Sequence, residues 1–233
     1  MTEATDLVDV VTALGEVLGR TSFPLPAPSA WSAEREAGEL TGQLADYLVP
    51  RLRSIDAPLM AVVGGSTGAG KSTLVNSLVG ADVSPAGVLR PTTRGPAIVC
   101  HPSDLRWFTD DRILPQLPRS SGPDGLRLVP HEGIGPGLAL LDAPDIDSVV
   151  STNRELASTL LAAADLWIFL TTAARYADAV PWQLLHTARD RGTAIAIVLN
   201  RCPPEAVRDV AAHLSDMLAA NGLGSAPLFV IAE

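Results

Sequence analysis

The sequence predicts an α/β fold, with a mostly parallel sheet preceded by a helical segment. Two observations carry this: short apolar runs alternate with amphipathic stretches from residue 58 onward, and residues 1–57 show only helix-spaced apolar positions. In the leading segment Leu7, Val10, Val11, Leu14, Val17 and Leu18 lie three and four apart and form one apolar face. A proline-rich connector, residues 22–29, interrupts the pattern. A second helix is expected over residues 32–55, striped by Leu40, Leu44, Leu48, Leu52 and Ile55, with Pro50 kinking or dividing it.

After residue 58 the period changes. Residues 59–63 form a continuous apolar run, as in a strand covered on both faces. Further strands are expected at 97–101, 126–129, 138–141, 166–170, 194–199 and 228–231. Helical patterns fall at 72–78, 153–163, 182–189 and 204–220. The expected division is a bundle-like helical segment over 1–57 and an α/β domain over 58–233, cut short at its C-terminal end because the last strand stops beside Glu233. Residues 156–174 are apolar enough to suggest a membrane span, but a helix followed by a buried strand explains them more simply.

Composition narrows the function. A net charge of −9 argues against nucleic acid or an anionic lipid surface as the main partner of this segment, because both need a surplus of Lys and Arg. With acidic residues at Glu3, Asp6, Asp9 and Glu16, no secretory leader is expected at the start. Cys100 and Cys202 are too few for a disulfide framework, which points to a reducing compartment, and His101, His131, His186 and His213 show no metal-ligand spacing. Of the seventeen basic residues only Lys71 is a lysine, in a composition resembling that of a GC-rich bacterial genome. An ammonium kept at one position only, amid arginines, suggests chemistry that arginine does not serve.

Lys71 lies in Gly65-Ser66-Thr67-Gly68-Ala69-Gly70-Lys71-Ser72-Thr73, which meets the P-loop pattern of glycine, four residues, then Gly-Lys-Ser. It follows an expected strand and opens an expected helix, the context this motif requires. The glycines let backbone N–H groups turn toward a phosphate, and the helix N-terminus adds its dipole. In such a loop Lys71 bridges the β- and γ-phosphates while the Ser72 hydroxyl ligates Mg²⁺. Downstream, the hydroxyl and N–H of a threonine in Leu89-Arg90-Pro91-Thr92-Thr93-Arg94 suit Mg²⁺ and the γ-phosphate. Asp142, ending the strand over 138–141, suits Mg²⁺ through a water, or simply caps the next turn. After the strand over 194–199, Asn200 is placed to hydrogen-bond near a base and Arg201 to stack on it.

In order and spacing these four elements resemble the translation-factor-like GTPase class, and most closely the bacterial dynamin-like GTPases, over residues 59–233. The resemblance implies a three-layer P-loop G domain behind a helical bundle element. It makes Thr93 the switch threonine that binds Mg²⁺, and puts Thr67 and Gly68 where such enzymes carry catalytic helpers. It implies GTP and GDP as ligands, Mg²⁺ as cofactor, hydrolysis coupled to switch-loop change or homodimerisation, and a cytoplasmic protein, peripheral at the inner membrane face through parts absent from this chain. Two departures stand out. Asp145 replaces the glycine that closes the third motif, and Pro203 replaces the guanine-reading aspartate of the fourth. A nucleotide-binding scaffold with little hydrolysis and an ATP-using P-loop protein are the alternatives.

Overall fold

The computed structural model describes residues 2–24, 29–49, 52, 56–85, 95–110, 113–114, 117–119, 125–146, 156–157, 159–161 and 163–232. It divides into two compact units, Met1–Ala57 and Pro58–Glu233.

The first unit is a helical pair. Helix α1 (Thr2–Arg20) packs on α2 (Ala30–Gln43). The approach is close at two glycines of α1: a methyl group added to Gly15 would meet Leu44 at 3.8 Å, and one at Gly19 would meet Thr41 at 3.7 Å. Two helices cannot cover the whole apolar stripe, and Leu7, Val10, Leu14 and Val17 stay exposed. The second helix, expected over 32–55 with a kink or division at Pro50, is irregular before that proline, with Val49 and Leu52 again helical. Its first α-helical run ends at Gln43, and a π turn, Leu44–Leu48, follows. A π turn shifts each hydrogen bond by one residue, and this one ends two residues before Pro50, which has no N–H to offer. Pro50 itself and residue 55 lie outside the described residues.

The second unit is a seven-stranded sheet with helices on both faces. Its strands are β1 (Leu59–Gly65), β2 (Ala97–Cys100), β3 (Arg127–Pro130), β4 (Leu138–Asp142), β5 (Leu166–Thr172), β6 (Ala194–Cys202) and β7 (Leu228–Ala232). Their order is β3-β2-β4-β1-β5-β6-β7. All pairings are parallel except β2 with β4. Alternate residues of the central strands feed two cores. Met60, Val62, Leu141, Trp167, Phe169, Ile197 and Leu199 face one side, where Trp182 and Leu185 of α4 (Ala179–Asp190) and Leu214 and Leu218 of α5 (Val207–Ala220) close over them. Ala61, Val63, Leu140, Leu170 and Val198 face the other, covered by Val75 and Val79 of α3 (Lys71–Val79). Each large apolar side chain fully buried in this way contributes about 1.5–3 kcal/mol. Strands masked on both faces have no polar side to show, which explains their continuous apolar sequences.

The apolar stretch at 156–174 contains β5, and among the described residues no helix is long and apolar enough to cross a membrane. Its preceding Asp165 is structural: one carboxylate oxygen accepts the Met60 N–H at 2.8 Å and so ties β5 to the start of β1.

One side chain organises the segment between β2 and β3. The Arg119 guanidinium donates to the carbonyls of Phe108 (3.0 Å), Leu114 (2.8 Å), Leu117 (2.6 Å), Asp110 (2.6 Å) and Ile113. Five carbonyls converging on one cation leave no cheap substitute. Arg119→Ala should therefore lose about 3 kcal/mol in urea unfolding, and Arg119→Lys should recover little, since an ammonium has three donors in place of five.

Candidate functional site

The carboxyl ends of β1, β4, β5 and β6 lie side by side, with Val63 paired to Asp142, Gly65 to Leu170 and Thr172 to Asn200. A parallel sheet collects its loops at this edge, and ligands of α/β folds bind there.

The turn from β1 into α3 is built by glycine conformations. Gly65, Gly68 and Gly70 have φ of 154°, 75° and 98°, values side chains rarely tolerate. The Ala69 N–H donates to the Ser66 carbonyl at 3.1 Å and closes the loop, after which α3 begins at Lys71. The first N–H groups of that helix have no intrahelical acceptor, so they converge with the loop amides on an anion-sized cradle.

Lys71 lies under this loop and is only 7% exposed. Its ammonium donates to the carbonyls of Gly65 (3.0 Å) and Ser66 (3.2 Å) and to the Asp145 carboxylate. Ser72 and Thr73 occupy the first turn of α3, with Thr73 exposed. The Ser72 hydroxyl donates to Asp142 Oδ2 at 2.6 Å. A second hydroxyl, that of buried Ser84, donates to the same oxygen at 2.5 Å. Asn76 of α3 positions Ser84, accepting the N–H groups of Val83 (3.0 Å) and Ser84 (2.8 Å) and donating to the Ser84 carbonyl (2.8 Å).

Asp142 is wholly buried, and its other oxygen, Oδ1, has no hydrogen-bond partner among the described residues. Burial raises its carboxyl above the ordinary value of 3.8; the Ser72 and Ser84 hydroxyls and the Lys71 charge lower it without cancelling the rise, to which the Asp145 charge adds. The sign of the stability effect follows. Below pH 3.8 folded and unfolded chains both hold the proton. As pH rises past that value the unfolded chain releases it first, so stability falls until the folded carboxyl also ionises. Asp142→Asn keeps an oxygen for the two hydroxyls and removes this loss. Without divalent metal, its melting temperature relative to wild type should be highest at neutral pH, and the difference should shrink as pH approaches 4.

The fourth element also reaches the loop. Asn200 Nδ2 donates to the Ala69 carbonyl at 2.7 Å, so this amide clamps the phosphate loop, where sequence reasoning had it near a base. The contact is tight: a methyl group at Gly70 would stand 2.6 Å from the same nitrogen. Arg201 is exposed beside it, at the left-handed φ of 52°. Asn200→Ala should weaken ligand binding at this loop roughly tenfold, the cost of one hydrogen bond and a loosened turn, read by calorimetry.

Sequence reasoning missed Ser84, Asn76 and Arg175. From the loop after β5, Arg175 is held by Asp178 (2.9 Å) and donates to the Thr67 carbonyl at 3.3 Å. None of the three belongs to a motif; only the anchor Asn76, four residues after Ser72 on one helical face, carries any periodic signal. Thr93, with Leu89 to Arg94, lies outside the described residues. Both cysteines are buried, and burial with the nearby Asp104 charge pushes the Cys100 thiol up to about 11, which leaves it inert.

Residues 61–124, spanning β1, the phosphate loop, α3 and β2, match the Dynamin family. Together with a parallel sheet that presents this loop at its carboxyl edge, the match supports a P-loop G domain. Pro58–Glu233 resembles a dynamin-like G domain. The chain is also similar to a probable transmembrane GTPase, FZO-like and chloroplastic, of Arabidopsis thaliana, at 28% identity over 130 residues that make up 55% of this chain and 13% of that protein. Two solved chains, each described as from an oligomerised bacterial dynamin pair that provides a mechanism for long-range sensing and tethering of membranes, share the fold. One has a TM-score of 0.56 at 13% identity, covering 99% of this chain and 45% of its own. The other has a TM-score of 0.52 at 12% identity, covering 98% and 45%. The chain thus spans less than half the length of these relatives.

Proposed function

We propose that this G domain binds GTP together with Mg²⁺ and hydrolyses it to GDP and phosphate. The observation that supports this most is the phosphate loop with Lys71 beneath it and Ser72 hydrogen-bonded to Asp142. The residues fit a magnesium ion: a buried carboxylate with one unpartnered oxygen beside a helix-start hydroxyl is the sparse donor set Mg²⁺ takes when phosphates complete its sphere. No cluster of three acidic, His or Cys residues that would hold a metal alone occurs among the described residues. Ser72 would ligate the ion directly and Asp142 through water, with Thr93 as the switch hydroxyl. Bound there, Mg²⁺ would neutralise charge developing on the phosphates. The loop amides and Lys71 hold the same phosphates, Gly65 through Thr73 line the cradle, and Asn200 fixes the loop. Arg201 is exposed at the rim, where its guanidinium is free to stack on a base.

The dynamin-like fold supports guanine as the base; Pro203 supplies no acceptor to read it. Self-association through the G domain, switch-loop change on hydrolysis, and peripheral membrane attachment through segments outside this chain belong to the same reading. The test is a titration of purified protein with labelled GTP, GDP and ATP, with and without Mg²⁺, followed by phosphate release. Magnesium-dependent GTP binding with turnover is expected. Tight binding without turnover would favour a nucleotide-regulated scaffold, a reading supported by the carboxylate on Lys71. Absence of magnesium-dependent affinity for any triphosphate would overturn the proposal.

A further inference from the structure

We propose that Asp145 is a resident competitor for phosphate: its carboxylate occupies the Lys71 ammonium, and an incoming polyphosphate must displace it. This rests on the reading of the loop as a phosphate site. An ammonium has three protons, and here all three have acceptors: the Gly65 carbonyl, the Ser66 carbonyl and the Asp145 carboxylate. None remains for a ligand. Two of the acceptors are main-chain groups of the loop itself, so the replaceable one is Asp145. It is also the partner nearer solvent, 29% exposed against 7% for Lys71.

The carboxylate cannot simply leave. The segment that carries it is pinned to β1 on both sides, through the Ala143 N–H to the Val63 carbonyl (3.1 Å) and the Ile146 N–H to the Gly65 carbonyl (3.5 Å). Ala143, Pro144 and Ile146 are buried. A displaced Asp145 therefore keeps its negative charge within a few bonds of the cradle and goes on opposing an anion there. The loss on binding has two parts, a charge-assisted hydrogen bond broken and a repulsion left behind. A glycine at this place, as in the motif the chain resembles, would carry neither.

Binding of a non-hydrolysable GTP analogue with Mg²⁺, and of inorganic pyrophosphate as a base-free probe, would be measured by calorimetry for wild type, Asp145→Asn and Asp145→Gly. Both variants should bind at least about tenfold more tightly, since one charged hydrogen bond is worth that much or more. Equal or weaker binding would overturn the inference. Tightening for pyrophosphate alone would support it while the guanine reading fell.

A second readout needs no ligand. Because Lys71 is the chain's only lysine, ¹⁵N-lysine labelling yields a single ammonium resonance. In the empty wild-type protein its protons should exchange slowly with water, and in Asp145→Asn at least about tenfold faster. Identical exchange would overturn the inference, even if no variant bound any anion.

Discussion

Lys71→Ala should cripple nucleotide binding and hydrolysis, with affinity for the triphosphate down roughly 100-fold and any residual turnover down at least as far, because among the described residues the ammonium is the cation beneath the cradle. The structure explains why no neighbour among the described residues would compensate. The ammonium is surrounded by the Gly65 and Ser66 carbonyls and the Asp145 carboxylate, all electron-rich. Removing it leaves a pocket floor of oxygens that repels phosphate. Arg175 touches the loop from the far side, at the Thr67 carbonyl, and a planar guanidinium does not thread beneath a tight turn. The variant should keep its fold, since Asp145 is partly exposed and can rehydrate. Equilibrium binding and phosphate release, alongside a thermal melt, would check this. Wild-type phosphate release from Lys71→Ala would show that the loop is not the site of hydrolysis.

Gly65→Ala should be severely damaging, for stability as well as binding. An added Cβ would lie 2.1 Å from the Leu170 carbonyl oxygen, and the residue's φ of +154° is one that side chains rarely adopt. The obstacle is the backbone of β5, paired with Gly65 in the centre of the sheet, so nothing can swing aside. Relief requires β1 and β5 to part, which would cost about 3 kcal/mol or more. Gly80→Ala is the natural comparison: its φ of +75° is also left-handed, but nothing lies within 4 Å. It should lose only about 1 kcal/mol. Urea unfolding of the two variants separates close approach from backbone strain. Similar losses would mean that the β1–β5 contact is not the cause.

The same distinction shows what could be read from residues alone. The central strands were legible because burial on both faces demands uninterrupted apolar runs. The edge strands β3 and β7, only partly buried, still carry short apolar runs between turn residues, a signal local to each segment. The phosphate loop was legible because its glycines and lysine are adjacent in the chain. Partners brought together by folding were not. Asn200 is identifiable as a site residue, yet its acceptor, the Ala69 carbonyl, lies 131 residues away and has no side-chain signature. Ser84 is one serine in a loop until Asn76 and Asp142 surround it. Asp145 reads as a carboxylate misplaced beside phosphate; only the folded chain shows the ammonium that accommodates it. The π turn after Gln43 was not legible for a different reason, since the apolar stripe continues past Gln43 while the hydrogen bonding changes.

The packing of Trp167 against Gly64 makes this tryptophan a built-in optical probe. Its indole is fully buried, edge-on to Phe169 with 5.6 Å between ring centres, and its N–H finds no acceptor among the described residues. A methyl group at Gly64 would stand 2.5 Å from that nitrogen, so the ring lies directly against the strand residue that precedes the loop. Indoles in such dry surroundings emit at short wavelength. Any ligand that shifts the loop will press on this ring, and its emission, taken as the difference between wild type and Trp167→Phe because Trp31, Trp107 and Trp182 also emit, should report the event without an attached dye.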